Sequence, residues 1–470
     1  MTEVGRVREE FHTGRAILLA SVAALGGFLF GFDTAVINGT VTAVREQFGL
    51  GAGLIGFVVS SALLGCVVGA FVAGRLADRV GRIRVMVLAA ALFLISAVGS
   101  GLAVGPWDLI GWRVLGGLGV GAASVIAPAY IAEISPASIR GRLGSLQQLA
   151  IVTGIFVALL SDAWLAALAG GAGEPLWGGL AAWRWMFIVE AVPAVAYGIL
   201  ALTIPESPRY LVKRGEHERA RTVLAQVLAS GVDDRLAEIR RTLRTEHRPS
   251  FADLRGPAAG LLPIVWVGIL LSMFQQFVGI NVIFYYSSTL WQSVGFTEAD
   301  ALTQTVITSV TNIVVTIVAI ALIDRIGRRR LLTIGSVGMT VTLGVLAVTF
   351  AGADLVPGED GELAPVLGDT AGIVALIAAN GFVVFFGMSW GPAVWVLLGE
   401  MFDNRIRAAA LGLGAAVQWI ANFVVSTTFP VLADLGLAVA YGLYTAFALA
   451  SLVFVVRFVP ETRNKQLEDM

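Results

Sequence analysis

Apolar runs of about 20 residues, the length that crosses a hydrocarbon core, recur near residues 15–38, 53–77, 85–104, 108–131, 143–165 and 183–204. A long polar stretch follows, and six further runs fall near 261–291, 301–323, 331–352, 371–399, 408–430 and 436–459. The pattern predicts an all-α membrane protein of twelve transmembrane helices, split six and six. The first run is too long for a signal-peptide core and no small-residue cleavage site precedes the next polar loop, so it is expected to stay as a span.

The connections alternate in charge. Those carrying Arg75, Arg79, Arg82 and Arg84, then Arg140 and Arg142, then the arginines from Arg325 to Arg330 alternate with acidic or uncharged ones. The stretch 353–370 holds Asp354, Glu359, Asp360, Glu362 and Asp369 and no base. By the positive-inside rule both termini are cytoplasmic.

Between Glu206 and Arg255 lie eleven Lys or Arg, and GEHERARTVLAQVLAS and DDRLAEIRRTLRTEH set Leu, Val and Ile at helical spacing. Short amphipathic helices on the cytoplasmic face are expected, and a solvated linker explains them as well as a regulatory role. The chain then divides into an N-terminal six-helix half (1–205), a linker (206–258) and a C-terminal six-helix half with a short cytoplasmic tail (259–470).

Composition agrees: 57% hydrophobic and 14% charged residues describe a multi-pass protein of the lipid bilayer. A net charge of −1 gives no sign of a nucleic-acid partner, and the single cysteine, Cys66, forms no intrachain disulfide.

Against this background the polar residues inside spans need a reason. FQQFVGINVIFYY, Phe274 to Tyr286, sets two glutamines, a glycine and an asparagine in an aromatic helix. Gln276 and Asn281 return to one side of a helix with Gln275 beside them. Amides donate and accept without charge, which suits a neutral ligand rich in hydroxyls. The alternative is that they bridge helices within the membrane.

The halves echo each other. ADRVGRIR at 77–84 answers IDRIGRRR at 323–330, Glu133 and Arg140 answer Glu400 and Arg407, and PESPR at 205–209 answers PETRN at 460–464. Two six-span repeats imply a site at their interface near the midplane that opens alternately to each side.

With GRLADRVGR, EISPASIRGR, PESPRYL, FQQFVGIN, DRIGRRR and PETRNKQLED in this order and spacing, the chain resembles the sugar porter family of the major facilitator superfamily over nearly its whole length. FDNRIR at 402–407 departs from the family, which usually has proline where Asp403 stands. The resemblance implies the major facilitator fold and a sugar site made of Gln148 on span 5, Gln275, Gln276 and Asn281 on span 7, Asn312 on span 8 and Gln418 on span 11. It places Trp395 at the family's span 10 tryptophan, with Phe30, Tyr285 and Trp419 as similar candidates and Trp390 a weaker one. Aromatic faces pack on sugar C–H faces while amides take the hydroxyls; for a lone aromatic, helix or lipid packing is the bland reading.

A carboxylate inside a span costs about 3 kcal/mol on insertion scales and reads as functional, which singles out Asp33 in FGFDTAV. Arg113 and Glu190 lie at similar depth, so the three are expected to meet. A carboxylate that pairs with an arginine in one state and loses it in another can bind and release a proton. In the family, proton-coupled members carry this aspartate and facilitative ones lack it. His12, His217 and His247 are all expected in cytoplasmic segments. A static Asp33–Arg113 pair is the alternative.

The resemblance also makes Arg82, Glu133, Arg140, Glu206 and Arg209, with Arg328, Arg329, Glu400, Arg407 and Glu461, a cytoplasmic charge latch for the outward-open state. A topology signal explains the arginines but not the glutamates.

Other classes fit less well. No G-x-x-x-x-G-K-[ST] loop supports an ATP-driven pump; Gly117, Gly119 and Gly121 lie in an apolar span and read as close helix packing. No nucleophile–base pair or metal cluster supports an enzyme, and no cofactor is expected. A sugar sensor would carry a longer tail than follows Pro460. The reading is proton-coupled symport of a monosaccharide by a monomer in the cytoplasmic membrane. Ile155 and Phe284 place apolar bulk beside the amides and leave hexose and pentose both open; the resemblance in this region, as close to glucose carriers as to xylose carriers, favours glucose over xylose. A facilitative uniporter, a polyol transporter and a sensor are the alternatives.

Overall fold

The structure, a computed structural model, describes residues 11–136, 139–245, 251–357, 363–402 and 406–461. Twelve helical segments among the described residues are long and apolar enough to cross a membrane. The first half contains α1 (Thr13–Ala35), the short α2 (Val41–Phe48), α3 (Ala52–Val80), α4 (Arg82–Gly101), α5 (Pro106–Ile134), α6 (Arg140–Ala169), α7 (Ala182–Val189) and α8 (Ala191–Thr203). Then come α9 (Pro208–Lys213), α10 (His217–Val227) and α11 (Val232–Thr245), and a small antiparallel pair, β1 (Arg255–Gly256) and β2 (Gly260–Leu261). The second half contains α12 (Pro263–Phe277), α13 (Ile280–Gln292), α14 (Glu298–Ile326), α15 (Arg328–Ala351), the antiparallel hairpin β3 (Asp354–Pro357) and β4 (Leu363–Val366), α16 (Asp369–Gly387), α17 (Trp390–Glu400), α18 (Arg407–Leu435) and α19 (Leu437–Phe458).

Three runs that periodicity predicts as continuous spans are broken. α7 and α8 part at Glu190, three residues before Pro193, whose ring cannot follow the helix without disturbing residue 189. α16 and α17 part at Met388 and Ser389, where Pro392 acts in the same way. α12 and α13 part at Gly279, which holds φ +85°, a conformation glycine adopts freely. A Cβ at that position would lie 2.7 Å from the Tyr444 ring. Each break leaves polar groups at mid-span.

The sequence repeat packs as a structural repeat. Gly81 and Gly327, with φ +100° and +95°, turn α3 into α4 and α14 into α15. Glu206 then accepts the N–H groups of Arg82 and Ile83 at 2.9 and 3.3 Å. Glu461 accepts those of Arg328 and Arg329 at 3.1 and 3.2 Å. A carboxylate on the open amides of a helix start is favoured by hydrogen bonding and by the helix dipole. Arg82 pairs with Glu133 at 2.9 Å and Arg328 with Glu400 at 2.8 Å, completing equivalent clusters.

Within the first half, Gly117 and Gly121 of α5 lie against the backbone carbonyls of Ala62 and Cys66 in α3, the close approach that small residues permit in a bilayer. Between halves, α3 packs on α18 and α6 on α14. The bonds that cross between halves lie toward the face opposite the arginine-rich connections: Ser60 Oγ to Thr427 Oγ1 at 2.6 Å, Thr42 to Thr289 at 3.4 Å, and Ala172 N–H to Glu298 at 2.9 Å. Asn38, fully buried, donates to the Phe284 carbonyl at 2.8 Å and the Ser287 hydroxyl at 2.9 Å, and accepts from Ser288 N–H at 3.1 Å. On the arginine-rich face Arg82 pairs with Asp78 and Glu133 inside the first half, Arg328 with Glu400 inside the second, and Lys213 of the linker with Asp78.

Candidate functional site

The break at Gly279 puts Gln275 and Gln276 in the last turn of α12 and Asn281 in the first turn of α13. The three amides form one directed chain. Gln275 Nε2 donates to the carbonyls of Trp390 at 2.9 Å and Gly391 at 3.3 Å. Its Oε1 accepts from Gln276 Nε2 at 3.5 Å, and Gln276 Oε1 accepts from Asn281 Nδ2. Gln275 and Gln276 are buried and Asn281 is half-buried, so the chain is anchored deep in the second half and ends at a carboxamide nearer open space. Each bond aligns the next dipole, and the chain ends at the Asn281 carboxamide.

Trp390 and Trp395 separate clearly. Trp390 is fully buried, with Nε1 on the Ser336 hydroxyl at 3.0 Å, and packs helices together. Trp395 is 43% exposed and is the one exposed residue described on α17. Phe30 of the first half meets Trp419 of the second with ring centroids 5.5 Å apart. Tyr285 is buried and accepts from Asn422 Nδ2 at 3.3 Å, while Asn422 Oδ1 accepts from Ser426 at 3.0 Å.

The described hydrogen bonds do not join Gln148, Asn312 or Gln418 to the span 7 chain. Gln148 stands half-buried on α6 and Asn312 buried on α14, the two helices that pack across the halves. The Oε1 of Gln418 is buried without a partner among the described residues. Among the described bonds, amides from both halves thus lie outside the chain.

In the first half, Asp33 and Arg113 are buried, at 1% and 2% exposure. Arg113 Nη1 lies 3.6 Å from Asp33 Oδ1 and donates to the Asp33 carbonyl at 3.1 Å. The side chains therefore face each other as a loose ion pair, longer than a charge-assisted hydrogen bond. Arg113 also sits 5.7 Å from the centre of the Phe187 ring. Glu190, at the break between α7 and α8, is buried with them. Asp33 Oδ2, Arg113 Nε and Glu190 Oε1 have no hydrogen-bond partner among the described residues. This set of charges has spare bonding capacity.

The latch candidates divide between the two equivalent clusters. Arg82, Glu133 and Glu206 belong to one, and Arg328, Arg329, Glu400 and Glu461 to the other. Arg407 donates to the Phe402 carbonyl at 3.0 Å in its own half. Arg209 follows Pro208 at the start of α9. The side chain of Arg140 lies outside the described residues, as do Asp403 and His247.

Asn38, Asn422, Gln147 and Asp162 are buried polar residues of the spans and their ends that the sequence pattern did not single out. Asn38 stands in VINGT, whose asparagine–glycine pair reads as a turn. Asp162 met the same test that singled out Asp33, a carboxylate within an apolar run, and that signal was available.

Two six-helix halves, mid-span breaks carrying amides, and a buried carboxylate–arginine pair define a membrane carrier of the major facilitator fold. The chain matches the Sugar (and other) transporter family over residues 19–470 and belongs to that family. It is 59% identical to the glucose transport protein of Synechocystis sp. over 97% of this chain and 96% of the relative. It is 36% identical to the D-xylose-proton symporter of Escherichia coli K12 over 98% and 96% of the two chains. Among solved structures it is similar to the E. coli xylose transporter XylE in a partially occluded inward-open conformation, with TM-score 0.80 and 34% identity over 96% of this chain and 100% of that one.

Proposed function

We propose that this protein carries a monosaccharide, glucose in preference to xylose, together with a proton across the cytoplasmic membrane by alternating access. The observation that carries coupling is the loose, buried Asp33–Arg113 pair with Glu190 beside it. A pair at 3.6 Å with unsatisfied atoms is poised to separate, and a carboxylate that gains and loses its arginine gains and loses a reason to stay ionised. Sugar identity leans on the similarity to the Synechocystis glucose transport protein; similarity to the D-xylose-proton symporter of E. coli and the arabinose-proton symporter of Bacillus subtilis supports coupling.

Gln148, Gln275, Gln276, Asn281, Asn312 and Gln418 take the sugar hydroxyls, and Phe30, Tyr285, Trp395 and Trp419 cover its C–H faces. The halves 1–205 and 259–470 rock as units about this site, joined by 206–258, and one chain suffices. With both termini cytoplasmic, the bonded face is external and the molecule is open inward. The charge clusters then pair within halves, and closing the cytoplasmic side brings them together as the latch.

The test is uptake of labelled glucose and xylose into proteoliposomes, with and without an inward proton gradient, for the native protein and Asp33→Asn. Gradient-dependent accumulation that Asp33→Asn abolishes supports symport. Equilibration without accumulation in both makes the protein a uniporter, and no movement of either sugar points to polyols or a sensor.

A further inference from the structure

Asp162 lies in α6 near the face where the halves are bonded, and neither the amide site nor the Asp33 pair uses it. It is fully buried. Its Oδ2 accepts one hydrogen bond, from Gly39 N–H at 3.3 Å, and its Oδ1 has no partner among the described residues. The packing is close: a Cβ on Gly39 would lie 2.8 Å from Oδ2.

Among the described residues the surrounding elements offer no ion-pair partner to Asp162. On α14, Glu298 accepts from Ala172 N–H and Asp300 from the Thr297 hydroxyl. On α7, Arg184 donates to the carbonyls of Gly101 and Ala103. On α5, Asp108 accepts from Val104 N–H and Arg113 faces Asp33 of α1. On α2, Arg45 lines an outer cleft of about 480 Å³ and Glu46 is exposed. Among the described residues the Gly39 amide is the one hydrogen-bond partner of the Asp162 side chain. A carboxylate anion needs several donors or a cation, so this closed arrangement suits a neutral acid.

Gly39 follows Asn38, whose side chain bonds Phe284, Ser287 and Ser288 of the opposite half. The end of α1 is thus held from one side by the second half and from the other by Asp162. Parting the halves on this face would release Asn38 and bring water to Asp162.

We propose that Asp162 is a positioning residue of the external gate that binds a proton from the outer solution as the gate closes and returns it to the same solution as the gate opens. The proton adds to the carboxylate and leaves from it on one side of the membrane, so it contributes nothing to the transported count. Acid outside holds the gate shut; its loss at higher pH favours the outward-open form. The inference rests on the external assignment of this face and on sugar exchange, but not on coupling at Asp33.

The experiment is glucose counterflow in proteoliposomes with equal pH on both sides, stepped from acid to neutral, in an Asp33→Asn background so that Asp33 adds nothing to the profile. With Asp162 present, KM for external sugar is expected to fall as pH rises. With Asp162→Asn or Asp162→Ser added it stays at its acid value throughout, whereas adding Asp434→Asn, which removes an exposed carboxylate on α18, keeps the profile. Counterflow needs no gradient, so a uniporter gives a readable result and failure of coupling at Asp33 is distinguished from failure here. An unchanged profile with both Asp162 variants overturns the proposal. As a check with Asp162 intact, a water-soluble carbodiimide with an amine nucleophile should tag Asp162 more in Asn38→Ala than in the native protein; equal tagging also overturns it.

Discussion

Asn38 on the first half donates to the Phe284 carbonyl and the Ser287 hydroxyl of the second, at 2.8 and 2.9 Å, with no solvent exposure. These bonds exist only while the halves are together on this face. Asn38→Ala removes both and leaves Ser288 N–H without its 3.1 Å acceptor. At about 1 kcal/mol net for each of the three bonds lost, the change should shift the equilibrium toward opening on this face roughly 150-fold. Distances between spin labels on the two halves check this; an unchanged distribution would show that the bonds do not hold the gate.

The amide chain gives a graded expectation. Asn281→Ala removes its end and should raise KM for sugar about tenfold with stability nearly unchanged, since one hydrogen bond to ligand is lost. Gln275→Ala removes the anchor to the Trp390 carbonyl and should lower both affinity and melting temperature. Transport kinetics and thermal unfolding in detergent separate the two, and equal effects of both variants would contradict a directed chain.

Gly279→Ala should destabilise by about 2 kcal/mol or more, because alanine resists φ +85° and its Cβ meets the Tyr444 ring at 2.7 Å. Gly144→Ala in α6, whose Cβ meets nothing within 4 Å, is the control and should hold or raise stability. Thermal unfolding of the two variants is the check, and equal midpoints would remove the case for a fixed break.

Much of this was legible in the sequence because the bilayer demands long apolar runs and punishes polar residues within them. Twelve spans, the amides at Gln275, Gln276 and Asn281, and the Asp33 carboxylate all stand out against that background. The broken spans were less so: Pro193 and Pro392 act four residues upstream, where hydropathy is unaffected. Pairing was not legible at all. That Glu206 and Glu461 cap equivalent helices, or that Asn38 reaches Phe284, depends on residues more than a hundred positions apart. The hairpin of β3 and β4 was read only as an acidic connection.

The charge clusters carry their own expectation. Glu206→Gln keeps a hydrogen-bond acceptor at the start of α4 but removes the charge that favours it there, so it should cost about 1 kcal/mol of stability. Glu461→Gln should cost a similar amount at α15, because the geometry repeats. Unfolding of the two variants in parallel is the check, and a large loss in one alone would break the equivalence of the halves.

The central claim is that proton and sugar are coupled through Asp33 and Arg113. Its most direct measurement is the pH of a lightly buffered suspension of proteoliposomes when glucose is added without any imposed gradient. A transient alkalinisation of the outer solution is expected with the native protein, as protons enter with sugar, and none with Asp33→Asn, although that variant still exchanges labelled glucose. Glucose entry without alkalinisation in the native protein, or alkalinisation that persists in Asp33→Asn, would contradict it.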